Sequence, residues 1–173
     1  MNTLEAIFTR RSIRRFTDTP VTGEQVETLL RAAMAAPSAK NEQSWRFVVI
    51  RDRAVLNRIM DVHPYSAMLA TAQLAIAVLG DRTRVTHPDY WVVDCSAASQ
   101  NLLLAAHDLG LGAVWLGVYP REQRMNDLAK ILHLPEHLPP LNLIAIGVPA
   151  EEKPKADRYR ADVVYSDVVP DGE

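Results

Sequence analysis

Apolar residues return at helical spacing along much of the chain. Between Val26 and Ala33 they lie three or four positions apart, which predicts a helix with one buried face. Thr22 is placed to cap the start of this helix, with Gln25 at the capping-box position, and Pro37 closes the pattern. Further helices are predicted over residues 3–9, 53–61, 91–109 and 121–133.

Apolar runs lie between these helices and predict buried strands. The runs are Phe47–Ile50, Leu74–Leu79, Ala113–Gly117 and Leu141–Val148. Because strands and helices do not alternate strictly, the order of elements favours an α+β fold over a doubly wound parallel sheet.

The character of the chain changes after the last of these strands. Residues 149–162 are polar and charged, whereas Val163–Tyr165 and Val168–Val169 are apolar again. An apolar group at the end of a polar segment is most simply explained by docking onto another surface. We therefore expect a folded domain over residues 1–150 and an extended C-terminal tail over residues 151–173.

Composition and charge narrow the classes of function. The 173 residues suggest one domain, and 48% of them are apolar. With 19 basic and 21 acidic residues the net charge is −2, so the electrostatic footprint of a nucleic-acid-binding protein is missing. No apolar run is long enough for a membrane span, and none precedes the N-terminal arginines as in a signal peptide. We expect a cytoplasmic protein.

Cysteine and histidine give little indication of chemistry. The single cysteine, Cys95, cannot form an internal disulfide and is interpreted as a small core residue. His133 and His137 have the spacing of helical metal ligands, but Pro135 lies between them. No metal site is therefore predicted.

Arginines are concentrated near the start of the chain. Four of them, with one serine, fall within residues 10–15. A guanidinium group can donate two parallel hydrogen bonds to a phosphate, and it keeps its positive charge at any ordinary pH. This run can therefore form a phosphate site, although a solvated basic turn would have the same composition.

Two later segments carry further candidate groups. Residues 37–45 contain Ser38, Asn41 and Gln43, which could present hydrogen-bonding groups to a planar ligand, although such residues also serve as ordinary turn formers. In residues 110–117 the first two glycines suit a helix end and a tight turn. Gly117 has no such local explanation and could let the backbone approach a ligand.

The three segments together resemble the landmarks of the nitroreductase family of FMN-dependent oxidoreductases. The motifs R-R-S-x-R-x-F, P-S-x-x-N-x-Q-x-W and G-L-G-x-x-W-x-G occur here in that order, and the similarity runs from about residue 4 to residue 165. The resemblance implies a mixed or antiparallel sheet flanked by helices. It also implies an intertwined homodimer in which the tail reaches the partner. One departure is Ser44, where the family usually has proline, and this change is expected to loosen the turn.

The resemblance also implies a set of residues for the cofactor. The FMN phosphate and ribityl chain would be held by Arg10, Arg11, Ser12 and Arg14, with Arg14 also reaching the N1/O2 edge of the ring. A second group of residues would reach the same flavin from the partner subunit. This group consists of Pro37, Ser38, Asn41 and Gln43. The isoalloxazine would be lined by Trp115, Leu116 and Gly117, with backbone near Gly117 donating toward N5. In the tail, Arg158 is the expected phosphate contact and Arg160 the second choice.

The implied activity is reduction of a small organic acceptor, such as a nitroaromatic compound or a quinone, by NADH or NADPH in a ping-pong cycle. No catalytic side chain is assigned, because the chemistry belongs to the flavin. Two alternatives remain open from the sequence. One is a family member with different flavin chemistry, such as dehalogenation or flavin fragmentation, and the other is a flavin-binding or storage protein without turnover.

Overall fold

The structure, a computed structural model, describes residues 1–169 of the chain. Within that range five α-helices are present, α1 Thr3–Thr9, α2 Gly23–Met34, α3 Arg53–Val62, α4 Tyr90–Asp108 and α5 Glu122–Leu132. Four strands accompany them, β1 Trp45–Ile50, β2 Leu74–Gly80, β3 Gly112–Gly117 and β4 Pro140–Gly147. The predicted α+β class is confirmed, and the element ends differ from the sequence-based ones by one or two residues.

The four strands form one antiparallel sheet in the order β1-β2-β4-β3. Of the two expected sheet types, the strands thus adopt the antiparallel one. The only parallel pairing among the described residues is the isolated bridge between Ser12 and Ala113. Central strands β2 and β4 are buried along their whole length, whereas β1 and β3 lie at opposite edges.

Alternation along the central strands creates two apolar cores, one on each face of the sheet. Ile76 and Ile144 belong to the core shared with α2 and α4. Ala77 and Leu143 belong to the core shared with α3 and α5. A strand buried on both faces has no polar alternation, which is why β2 and β4 appear in the sequence as continuous apolar runs.

Local signals in the sequence fix the ends of two helices. At the start of α2, Thr22 Oγ1 accepts from the Gln25 amide at 3.1 Å, and Gln25 Oε1 accepts from the Thr22 amide at 2.9 Å. This confirms the predicted capping box. After α4, Gly110 has φ of +72°, the left-handed conformation that a helix end commonly requires. None of the helices in residues 1–169 combines the length and the apolar character needed to span a bilayer.

The segment after α1 crosses the outer edge of β3 and is packed against the end of the sheet. The Ile13 amide donates to the Ala113 carbonyl at 3.1 Å. A Cβ at Gly112 would lie 2.7 Å from Ile13 Cγ2, and one at Gly147 would lie 2.9 Å from the Phe16 side chain. Two glycines on neighbouring strands therefore leave the room that this crossing segment occupies.

We expect Gly112→Ala to destabilise the protein by roughly 1–3 kcal/mol, because it overpacks the contact with Ile13. Gly117→Ala is the matched control on the same strand, since a Cβ there meets nothing within 4 Å. Urea unfolding followed by circular dichroism measures both variants. Equal stability of the two would contradict the close approach at Gly112.

Candidate functional site

The first predicted group surrounds the end of α1, where three arginines come together. Arg10 is the C-terminal capping residue of α1 and is half-buried. Partial burial lowers its pKa, and the like charges of Arg158 and Arg11 lower it further. Among residues 1–169, no carboxylate lies within ion-pairing distance of these three guanidinium groups. This arrangement is electrostatically unfavourable without an anion.

The tail is held beside this cluster by hydrogen bonds to the crossing segment. The Lys153 ammonium donates to the Ser12 carbonyl at 2.7 Å, and an Arg11 guanidinium nitrogen donates to the Pro154 carbonyl. Glu151 accepts from the Arg14 amide at 2.6 Å, and this bond is the main reason that the pKa of Glu151 is lowered. The first part of the tail thus lies along the arginine segment of its own chain.

The structure separates the two candidate arginines of the tail. Arg160 is paired with Asp162 through two hydrogen bonds. Arg158 has no such carboxylate among the described residues and adds its charge to that of Arg10. Of the two arginines, Arg158 is therefore the one without a carboxylate partner in the described part of the chain, and its role as the phosphate contact stays a prediction.

A groove of about 850 Å³ opens at this cluster. Its charged lining consists of three cations, Arg10, Arg158 and Lys155, and one carboxylate, Asp157, and its apolar walls include Phe8 and Tyr159. The combination of cations and apolar surface suits an anionic ligand that also has an aromatic or aliphatic part.

The outer edge of β3 continues from this groove and is partly free. The Ala113 carbonyl points away from β4, because it accepts from Ile13. Since backbone groups alternate along a strand, those of Trp115 and Gly117 point the same way. In the part of the chain that the structure describes, no backbone segment pairs with this edge beyond Ser12. The half-exposed Trp115 and the bare Cα of Gly117 therefore border an open strand edge.

The same alternation places the side chain of Leu116 in the core and not at the strand edge. Its side chain is only 4% exposed and belongs to the core under α3 and α5. Its backbone groups point toward β4. The structure thus brings Trp115 and Gly117 to the edge but not Leu116.

Two side chains that the sequence analysis did not select fix the end of this edge. His63 Nε2 lies 3.0 Å from the Gly117 carbonyl, and Arg124 Nη1 donates to the same oxygen at 3.1 Å. His63 Nδ1 lies 3.3 Å from the Tyr65 amide, which can only donate to it. His63 is therefore a neutral imidazole protonated on Nε2. Burial lowers its pKa, opposed by the hydrogen bond to Gly117 and reinforced by the charge of Arg124.

The second predicted group lies in residues 37–44, which we call the 37–44 loop. Ser38 Oγ accepts from the Gln43 amide, and Asn41 Oδ1 accepts from Gln43 Nε2, both at 3.0 Å. Pro37, Asn41 and Gln43 are exposed, and Ser38 is half-buried. The loop is also tied to the segment before α4, because Glu42 accepts from the Thr86 amide at 3.0 Å. The structure therefore groups these residues and turns two amide side chains toward solvent.

This loop is remote from the arginine cluster within one chain. It leads into β1, whereas Trp115 and Gly117 lie on β3, three strand spacings away. That separation is about 14 Å. Among the described residues no hydrogen bond or ion pair joins the loop to residues 10–17, to β3 or to the tail. The single chain thus presents the two predicted groups at opposite edges of the sheet.

Ser44 stands where the family usually has proline, and we expected this change to loosen the turn. The structure shows instead that Ser44 is held in place by hydrogen bonds. Its side chain is fully buried, and its hydroxyl donates to Asp94 Oδ2 at 3.4 Å. Its carbonyl accepts from the Asp81 amide at 2.7 Å. Asp94 could have been noticed in the sequence, because it interrupts the buried stripe that contains Trp91, Cys95 and Ala98.

Cys95 lies in the core, as expected from the sequence. It is fully buried, and burial raises the pKa of its thiol to about 12. The thiol donates to the Leu79 carbonyl at 3.3 Å. A thiol in this state has almost no thiolate at neutral pH and is a poor nucleophile.

Comparisons with known proteins agree with the motifs. The model of the Nitroreductase family matches residues 7–63 and 61–148. A protein of Methanothermobacter thermautotrophicus, provisionally named NADH dehydrogenase/NAD(P)H nitroreductase, is 48% identical over 165 residues, which cover 95% of this chain and 86% of the relative.

Solved structures give the same picture. A crystal structure of a protein from Parabacteroides distasonis with the same provisional name has a TM-score of 0.94 and 40% identity, and the match covers 98% of this chain and all of that one. The structure of a provisionally named nitroreductase from Desulfovibrio desulfuricans, in complex with FMN, has a TM-score of 0.85 and 36% identity. That match covers 98% of this chain and 99% of the other.

We expect the protein to lose stability as the pH falls below about 6.5, the usual pKa of histidine in an unfolded chain. Because the pKa of His63 is lower in the folded state, the unfolded chain takes up the proton first. The contribution of neutral His63 to the free energy of unfolding is therefore fully present above that pH, and it declines as the pH falls toward the folded-state pKa.

Thermal unfolding of His63→Gln tests this effect, because glutamine can still donate to the Gly117 carbonyl but cannot be protonated. Its Tm should depend less on pH than that of the wild type. His87→Gln, at an exposed position, should keep the wild-type dependence. If all three proteins share one pH profile, His63 is not the buried titrating group.

Proposed function

Because this chain belongs to the nitroreductase family, we propose that it is an NAD(P)H-dependent oxidoreductase that uses FMN to reduce small organic acceptors. The observation that carries the proposal is the cluster of three guanidinium groups without a carboxylate, next to an open strand edge. The names of its relatives support the same activity. The acceptor we propose is a nitroaromatic compound or a quinone.

The arginine cluster fits the phosphate of FMN. Arg10, Arg11 and Arg158 would each gain an anionic partner, which offsets the burial and the like charges of Arg158 and Arg11 that lower the pKa of Arg10. A phosphate also accepts several charge-assisted hydrogen bonds at once. Ser12 lies in the same crossing segment, and we propose that its hydroxyl joins them. FMN has one terminal phosphate, which matches one cluster.

The open edge of β3 fits the flavin ring. We propose that the Gly117 amide donates toward N5, while His63 and Arg124 hold the following peptide by binding the Gly117 carbonyl. Arg14, which is exposed, would reach the pyrimidine edge and offset negative charge that develops there. Trp115 would line the ring, whereas Leu116 would support the strand from the core.

We propose that a second copy of the chain completes each site. The 37–44 loop carries Asn41 and Gln43 at the edge of the sheet opposite to β3, so a partner's loop is better placed to reach the ring. In the tail, Val163, Val164, Val168 and Val169 are more than half exposed, which supports docking of residues 151–173 on the partner. Residues 170–173 of that proposed tail lie outside the described residues.

When bound, FMN would supply the redox chemistry, with NADH or NADPH as the electron donor and the acceptor reduced in ping-pong order. The protein needs no acid–base side chain for this. Its own residues bind the phosphate, orient the ring and place positive charge beside it.

We expect purified protein to bind about one FMN per chain and to be bleached by NADH or NADPH without oxygen. Arg158→Ala should raise the Kd for FMN about ten- to a hundredfold, since a hydrogen bond to a charged group contributes roughly 1.5–3 kcal/mol. Arg160→Ala is the matched control, because Arg160 is already paired with Asp162. Fluorescence titration with FMN measures all three proteins.

A protein that stays colourless with added FMN would contradict the proposed function. A yellow protein that neither nicotinamide donor reduces would be a flavin-binding protein without this turnover. Equal losses in Arg158→Ala and Arg160→Ala would contradict only the assignment of Arg158.

The shared site predicts complementation between two defective chains. Arg14→Ala and Asn41→Ala should each weaken FMN binding, and mixing them should restore one intact site in every heterodimer. Recovery is measured by flavin binding and turnover after subunit exchange has been verified with tagged chains. Mixing two differently tagged Arg14→Ala chains is the control and should give no recovery. If verified heterodimers stay defective, the loop does not act across the interface.

A further inference from the structure

The 37–44 loop has a backbone conformation that its residues do not favour. Lys40, Asn41 and Gln43 have φ of 50°, 56° and 49°, which is the left-handed region. Asparagine tolerates this region better than the other two residues. Such conformations persist only where the surrounding structure imposes them. The loop must therefore be held by contacts outside itself.

Asp94 supplies two of these contacts, one at each end of the strained residues, in addition to the bonds of Glu42 with Thr86 and of Ser44 with Asp81. Asp94 Oδ1 accepts from the Ala39 amide at 3.0 Å, and its Oδ2 accepts from the Ser44 hydroxyl at 3.4 Å. Ala39 precedes the three left-handed residues, and Ser44 follows them. One carboxylate on α4 thus clamps the two ends of the loop.

The clamp is rigid because of where the carboxylate is placed. Asp94 is only 3% exposed, within the buried stripe of the 19-residue helix α4. No lysine or arginine forms an ion pair with it among residues 1–169. A buried carboxylate with two hydrogen bonds and no cation is costly for folding, so packing of the core does not explain its presence.

We propose that Asp94 is a positioning residue for FMN binding, acting together with Ser44. It holds the 37–44 loop so that Asn41 and Gln43 face outward and reach the flavin of the partner subunit. The inference rests on the proposed function, because the role of Asn41 at the flavin does. In this chain the Ser44–Asp94 hydrogen bond restrains the turn at the position where the family usually has proline.

A double-mutant cycle in the full-length protein tests the proposal. Asp94→Ala and Asn41→Ala should each raise the Kd for FMN about tenfold, the size expected for one lost hydrogen bond to the ligand. The double variant should bind no more weakly than the weaker single variant, because both changes remove the same contact. Losses that multiply in the double variant would show that Asp94 does not act through the loop.

Two further variants separate positioning from charge and from folding. Asp94→Asn can still accept from the Ala39 amide and donate to Ser44, so it should bind FMN like the wild type. Asp89→Ala, at the exposed N-cap residue of the same helix, whose carboxylate makes no capping bond, should also leave binding unchanged. A large loss in Asp94→Asn would overturn the positional role. If Asp94→Ala does not fold, Ser44→Ala takes its place in the cycle, with the same non-additive outcome expected.

Hydrogen exchange distinguishes failure of the clamp from failure of the proposed function. Amides of residues 39–44 should exchange faster in Asp94→Ala than in Asp89→Ala, whether or not FMN binds. Unchanged exchange would overturn the clamp. Wild-type protein that does not bind FMN, with faster exchange in Asp94→Ala, would instead contradict the proposed function and leave the clamp in place.

Discussion

The close contact between the crossing segment and β3 is the constraint on which the rest of the site depends. Gly112 and Gly147 lack the side chains that would exclude Ile13 and Phe16. The segment therefore lies against the sheet, and its Ile13 amide bonds to Ala113. This single contact brings the arginines at the end of α1 next to the open edge of β3. Without it, the arginine cluster and the open edge of β3 would belong to separate surfaces.

Charge then determines what this place can bind. Arg10, Arg11 and Arg158 repel one another, and the tail adds Arg158 by hydrogen bonding along the same segment. Glu151 could have neutralised the cluster, but its carboxylate is engaged with the Arg14 amide and with Lys153. The cluster is thus left with unbalanced positive charge. An anion that binds at this position would therefore also stabilise the folded protein.

The sheet order explains why the chain carries its proposed site in two halves. Because β1 and β3 are at opposite edges, no short path over the sheet connects the 37–44 loop with Trp115 and Gly117. Each half is held by a buried side chain that makes backbone contacts. His63 holds the carbonyl of Gly117, and Asp94 holds the amide of Ala39. Backbone groups positioned in this way need no catalytic side chain beside them.

Much of this protein was determined by the sequence alone, because the signals are local. The helix with its capping box at Thr22, the buried strands and the arginine run each depend on neighbours within a few residues. The order of three motifs was enough to indicate the family. Other features were decided only by the tertiary structure, because they depend on contacts between residues that are distant in the sequence. The antiparallel strand order and the burial of the Leu116 side chain in the core are of this kind. So are His63 and Asp94, since a lone buried polar residue shows its partner, here 54 or 55 positions away, only once the chain has folded.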